Sequence, residues 1–294
     1  MPVSSSATTD VERDASPPPL VSPQLGGPPV GARIVDLSLL VAEELPCTWP
    51  THMPFQQKTF TYFADEGGST HPLQHRDGAP YQTRWLIIDE HTGTHVDAPA
   101  HFIPEAGTGL PHAAEIGSVT ADQIPLEQLM GPAVVIDAGE LAPARPGESP
   151  IIGPEAVERF ESVHGRIQPG EVVLLRSGWD SRYRAGAAGS AYCHDAVATR
   201  TGPGWPAPEP PLMHLLIDRR VRCVGTDGVS MGSAHDGAPV HRLGLSHGMA
   251  YVEGLAGLDA LPPRGAYFCF TPLKLARGTG APGRAFAWLP EAAK

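Results

Sequence analysis

Glycine and proline punctuate this chain more heavily than any other feature: 33 of each stand among its 294 residues. Proline removes a backbone donor and glycine adds to the entropy lost on ordering, so uninterrupted stretches are too short for long helices. The chain is therefore restricted to short strands and short helices joined by turns. With 41% hydrophobic and 18% charged residues it has the composition of a globular body. At this length a core can form without disulfides or a structural metal.

Residues 1 to about 31 are rich in Ser, Pro and Gly, include Pro17-Pro18-Pro19, and show no apolar period. Such a segment cannot bury enough surface to offset its ordering entropy, which predicts a disordered tail over 1–31 and one domain over 32–294. Strands are expected at Ala32–Leu37, Trp85–Ile88 (buried), Glu171–Arg176, Arg222–Gly225, Met249–Glu253, Ala266–Phe270 and Arg284–Trp288. Helices are expected at Thr120–Met130, at Pro210–Arg220 and most clearly at Pro154–His164. The last of these has proline in its first turn, Val157, Phe160 and Val163 on one face, and Gly165 past its end. Strands alternating with short helices predict a mixed α/β domain, and the Gly/Pro-rich joints argue against a regular doubly wound sheet.

Lys+Arg is 21 and Asp+Glu is 32, a formal charge of −11. That excess of anions argues against a binder of nucleic acid or anionic membranes, both of which require clustered cations. No apolar run approaches the roughly 20 residues that span a bilayer. Met1–Thr9 has neither the basic nor the apolar region of a secretory signal. The four cysteines, Cys47, Cys193, Cys223 and Cys269, are scattered without CxxC spacing, as reduced thiols of a cytoplasmic protein would be. Histidine is abundant, at 13 residues, and it is the commonest metal ligand.

Two motifs match in letters only. Gly278-Thr279-Gly280-Ala281-Pro282-Gly283 has the GxGxxG pattern, but the chain ends eleven residues later, too soon for the helix, second strand and acidic residue of a dinucleotide site. A tight turn before the last strand is expected instead. Gly228-Val229-Ser230-Met231-Gly232 has the GxSxG pattern of a nucleophile elbow. The following Ser233–Pro239 is expected not to start a sustained helix, which leaves a serine hydrolase as a rival class.

The chemistry is concentrated in His91-Thr92-Gly93-Thr94-His95-Val96-Asp97-Ala98-Pro99-Ala100-His101. Gly93, Pro99 and the β-branched residues disfavour a helical HxxxH pair. Because the three spacings between them are even, an extended backbone would place His91, His95, Asp97 and His101 on one face. Imidazoles with a carboxylate suit a divalent ion such as Zn²⁺ or Mn²⁺. A second group follows in His241 to Glu253. His241 taken alone reads as a polar loop residue, whereas Glu253 ends an apolar strand, where a buried carboxylate needs a cation.

The first stretch resembles the HxGTHxDxPxH signature of the cyclase family of metal-dependent hydrolases, which includes bacterial kynurenine formamidases and isatin hydrolase. The resemblance runs from Asp36-Leu37-Ser38 to the end and includes His241–Glu253, continuing into Gly254-Leu255. Trp49-Pro50 with Pro54-Phe55 resembles the substrate-contacting segment of the formamidases. An insertion-like stretch around Thr59 to Tyr81 departs from the small formamidases. Gly225–Gly232 and Gly280–Arg284 are closer to the isatin hydrolases.

The resemblance implies an α/β fold with a mixed sheet or partial β-barrel flanked by short helices, assembled as a homodimer or homotetramer. It implies that His91, His95 and Asp97 hold a first metal, and that Asp97, His241 and Glu253 hold a second where one exists. His101 would transfer protons and Trp49 would stack on an aromatic substrate. The expected activity is hydrolysis of an aryl formamide or cyclic amide. The alternative is a cyclase or dehydratase acting on a natural-product intermediate.

Overall fold

The computed structural model describes residues 31–63, 81–141 and 144–290. The tail expected before residue 32, apart from Gly31, and most of the insertion-like stretch lie outside the described residues. In chain order the strands are β1 (Arg33–Asp36), β2 (Gln56–Thr61), β3 (Thr83–Ile87), β4 (His95–Asp97), β5 (Met130–Asp137), β6 (Ile151–Ile152), β7 (Val172–Arg176), β8 (Ala207–Pro208), β9 (Cys223–Thr226), β10 (Ala250–Glu253), β11 (Tyr267–Pro272) and β12 (Gly280–Leu289). The α-helices are α1 (Pro154–His164), α2 (His194–Val197), α3 (Pro210–Asp218) and α4 (Ala238–Ser246).

Strands β5, β7, β9 and β10 run parallel in that order. Antiparallel pairings from β10 to β4, β4 to β12, β12 to β11 and β11 back to β5 then close the sheet. The result is a single α/β domain built on a closed seven-strand mixed barrel, with β1 added at the edge of β12. Closure removes the exposed edges that an open sheet would present.

The parallel strands are buried on both faces, as their β-branched and leucine content requires. Leu174 and Val252 point into the barrel, where they pack with Val96, Phe268 and Phe270. Their neighbours Val173, Leu175, Val224 and Tyr251 point outward and pack against α1, α3 and α4 through Val157, Phe160, Leu212 and Leu245. Each buried side chain of this size contributes roughly 1.5–3 kcal/mol. The same alternation places His95 and Asp97, which flank Val96, and Glu253, which follows Val252, on the outer face of the barrel.

Several expectations are corrected. Thr120–Met130 is not one helix: Pro125 divides it into the short turns Ala121–Gln123 and Leu126–Gln128, and Met130 already belongs to β5. Trp85–Ile88 is not buried, because among the described residues β3 pairs only with β2 and all five of its residues are exposed. In α1 the buried face is Ala156, Val157 and Phe160, while Val163 is 74% exposed. A sustained helix does begin within the segment after Ser230, since α4 starts at Ala238 with Pro239 in its first turn. The last strand begins at Gly280 rather than Arg284, so the GxGxxG letters run into a strand. All four cysteines are buried free thiols. Among the described residues no helix is long and apolar enough to cross a membrane.

Candidate metal centre

The HxxxHxD stretch is not one extended run. Only His95–Asp97 is strand, and Gly93 turns the chain before it at φ +62°. A Cβ at Gly93 would stand 2.8 Å from the Val41 side chain, so both the backbone and the space call for glycine here. Thr94 ties the turn down by donating to the Gly254 carbonyl and accepting the Leu39 N–H. Beyond Asp97, Pro99–His101 forms a single helical turn that brings the His101 ring back over His91, with 4.0 Å between the stacked rings.

The two segments singled out in the sequence converge. Strand register sets Glu253 opposite His95, and α4 supplies His241. His91 Nδ1 lies 2.9 Å from Asp97 Oδ1. His95 Nε2 is 3.5 Å from both Asp97 Oδ1 and Glu253 Oε2. His241 Nε2 is 3.1 Å from Glu253 Oε1 and 3.5 Å from Asp97 Oδ2. Two sets of possible donor atoms each lie within 4.8 Å of one another, His91–Asp97–His101 and His95–Asp97–Glu253, a different partition from the one the family resemblance implies. Asp97 belongs to both.

The hydrogen-bond network assigns a tautomer to each of these three imidazoles. His95 Nδ1–H donates to the Gly93 carbonyl at 2.9 Å, and His241 Nδ1–H donates to the Gly237 carbonyl at 2.7 Å. Thr279 Oγ donates to Glu90 at 2.7 Å, which leaves it to accept His91 Nε2–H at 3.3 Å. Each ring thus spends one N–H on a protein acceptor and turns its other nitrogen towards carboxylate oxygen. A lone pair facing an anion is repulsive, so a positive species belongs between them: a proton when the site is empty, or a cation that takes its place.

The electrostatics agree. Burial alone would lower the pKa of His95 and His241, but Asp97 and Glu253 raise them to about 9 and about 10. Asp97 is held well below the usual carboxylate range: burial opposes this, and His101 and His91 outweigh it. Asp97 Oδ2 is buried with no hydrogen-bond partner among the described residues. Two buried carboxylates, an orphaned oxygen and inward-facing imidazole nitrogens fit a divalent cation, and this His/Asp/Glu cluster suggests a metal site.

His101 differs from the others. Its Nε2 stands 3.9 Å from Asp97 Oδ2, beyond hydrogen-bonding distance, and burial pushes its pKa down to about 4. It faces a cavity of about 250 Å³ whose wall includes Trp49, His52, Phe102 and Tyr192. Trp49 is held edge-on by the fully buried Trp205 at 6.0 Å.

Two residues outside the predicted set shape the site. Glu90 accepts the backbone N–H of Thr279 and Gly280, which fixes the turn against His91. A Cβ at Gly280 would lie 2.5 Å from the His91 ring, so the glycine of the spurious GxGxxG is there to admit an imidazole. Ser230 Oγ reaches His241 Nε2 at 3.4 Å, but His241 Nδ1 faces the Gly237 carbonyl where a triad needs a carboxylate. The serine-hydrolase geometry is therefore incomplete.

Fold and site together define a closed α/β barrel with a His/Asp/Glu cluster on its outer face. The chain belongs to the cyclase family: residues 35–233 match the family model described as "Putative cyclase". It is 34% identical over 221 residues to the isatin hydrolase of Roseibium aggregatum, spanning 74% of this chain and 78% of that protein. With the kynurenine formamidase of Salinibacter ruber it shares 30% identity over 201 residues, 68% of this chain and 76% of the relative. Its fold matches the crystal structure of an isatin hydrolase bound to the product analogue thioisatinate, with TM-score 0.69, 26% identity, and coverage of 88% of this chain and 93% of the other.

Proposed function

We propose that this chain hydrolyses the amide bond of a small aryl formamide or cyclic amide, using Zn²⁺ or Mn²⁺ held by His91, His95 and Asp97, with His241 and Glu253 completing the cluster. The observation that carries the reading is the shared orientation of three imidazoles, each turning its second ring nitrogen towards the Asp97 and Glu253 carboxylates. Bound there, a divalent ion supplies Lewis acidity and brings the pKa of water towards about 7.

The chain's own residues do the rest. Burial keeps His101 neutral at ordinary pH, and its ring lines the cavity beside the cluster, where it is placed to take the proton of the attacking water. As the C–N bond breaks, the same proton passes to the leaving nitrogen. Trp49 and Phe102 line a cavity of about 250 Å³, a size suited to one aromatic ring system. Isatin hydrolase and kynurenine formamidase, both relatives, point to the same substrate class.

A homodimer or homotetramer is part of this proposal. The isolated β2–β3 ribbon exposes Trp85, Leu86 and Ile87, and a lone two-stranded ribbon is marginal in water. Elemental analysis, followed by assays on N-formylkynurenine, isatin and simple lactones with and without chelator, tests the function. Turnover that survives complete metal removal overturns it.

A further inference from the structure

Glu90 and Thr279, 189 positions apart in the chain, meet on the side of His91 that faces away from Asp97. Glu90 Oε2 takes three donors from one turn: the Thr279 N–H at 2.7 Å, the Thr279 hydroxyl at 2.7 Å and the Gly280 N–H at 3.2 Å. Two backbone bonds are enough to fix a turn. The third bond has a different consequence, because it commits the only hydroxyl proton of Thr279 to a carboxylate and leaves Oγ to face His91 with its lone pairs. His91 Nε2 lies 3.3 Å away, and it makes a hydrogen bond there only when it carries the proton.

Both sides of that contact are held. The Thr279 carbonyl accepts the Ala98 N–H at 2.9 Å, and Gly280 pairs with Asp97 in the ladder between β12 and β4. The His91 N–H donates to Asp89 Oδ1 at 2.9 Å, which pins the backbone that carries the ring. His91 then turns Nδ1 towards Asp97 Oδ1 at 2.9 Å. His95 and His241 are oriented the other way, with Nδ1 on a backbone carbonyl and Nε2 towards the carboxylates. A carbonyl can only accept, so it fixes a tautomer by itself. A hydroxyl fixes one only when its own proton is committed elsewhere, and that is what Glu90 supplies.

Resting on the metal-dependent hydrolase reading, we infer that Glu90 is a positioning residue that acts through Thr279. The pair keeps a proton on His91 Nε2, so that His91 meets the divalent ion through Nδ1 while His95 and His241 meet it through Nε2. An anion behind the hydroxyl also polarises the Nε2–H bond, which makes the opposite nitrogen a better donor to the ion. The inference concerns how the ion is held and is independent of which amide is cleaved.

The test measures Zn²⁺ affinity of the full-length protein by competition with a chromophoric chelator, alongside thermal melts of the metal-free forms. Thr279→Val keeps the side chain's shape and both backbone bonds to Glu90 but removes the hydroxyl. It is expected to melt near wild type without metal and to bind Zn²⁺ about 10-fold more weakly or worse. Glu90→Gln should weaken Zn²⁺ binding as well, whereas Thr279→Ser should restore wild-type affinity. Long-range proton–nitrogen NMR spectra of the Zn²⁺-loaded, histidine-labelled wild type should show one bound ring protonated at Nε2 and the others at Nδ1. Unchanged affinity in Thr279→Val overturns the inference and leaves the hydrolase reading intact. Spectra in which every bound ring carries its proton on Nδ1 do the same. A lower melting temperature without metal, with an affinity loss that Thr279→Ser does not restore, also overturns it, because the pair is then structural. Wild type that binds neither Zn²⁺ nor Mn²⁺ sinks the metal reading and the inference together.

Discussion

Glu253 stands directly opposite His95 in the antiparallel ladder between β10 and β4, and their side chains meet on the outer face with 3.5 Å between Oε2 and Nε2. The two residues are 158 positions apart in the chain (253 − 95). Strand register alone brings them together, and a one-residue slip would send Glu253 into the barrel.

His95→Ala is expected to lose most of the bound metal while the barrel stays folded, because the ring's donor atom leaves and its neighbour Val96 remains in the core. Elemental analysis of the purified variant decides it. Unchanged occupancy would show that the ligand assignment is wrong.

His101→Asn should behave oppositely. Its nitrogen lies 3.9 Å from Asp97 and is not tied into the carboxylate network, so metal should remain near wild-type occupancy. Loss of the proton carrier should lower kcat by roughly 10²-fold or more. Metal loss in this variant would make His101 a ligand instead.

Gly280→Ala places a methyl group 2.5 Å from the His91 ring. The ring must swing away, so metal affinity and activity should fall together. Circular dichroism should still report a folded barrel. Normal metal affinity in this variant would mean that His91 is free to move without consequence.

The metal-free protein should lose stability as the solution becomes alkaline. Burial lowers the pKa of His95 and His241, but Glu253 and Asp97 outweigh it and raise them to about 9 and about 10, above the ordinary 6.5. A raised imidazole pKa stabilises the folded state fully below about 6.5, and that contribution disappears as pH rises through the folded values. Thermal melts of chelator-treated protein between pH 6.5 and 10 should therefore decline. In the metal-loaded protein a cation replaces those protons, so the decline should shrink. A flat profile without metal would contradict the arrangement.

Truncation to Ala32 is expected to preserve folding and activity, since residues 1–31 lack any apolar period. A large drop in melting temperature would assign the segment a structural role.

The local part of this molecule was legible in residue types. The HxxxHxD spacing marked the candidate donors, Pro154 and Gly165 bracketed α1, and the Gly/Pro frequency ruled out long helices; all of these are short-range effects of backbone sterics and side-chain chemistry. Other expectations failed where a long-range partner decided the outcome. Trp85–Ile88 has the composition of a buried strand yet pairs with a single neighbour, and the even spacing of His91 to His101 is broken by two turns. Gly280 read as part of a turn because nothing in its own neighbourhood shows that an imidazole from 189 positions away needs its space (280 − 91). The sequence by itself therefore determined which groups could hold a cation and which segments could be strands. Barrel closure decided which of those groups face one another, because register, pleat and the absence of a Cβ act between strands that only the tertiary fold makes neighbours.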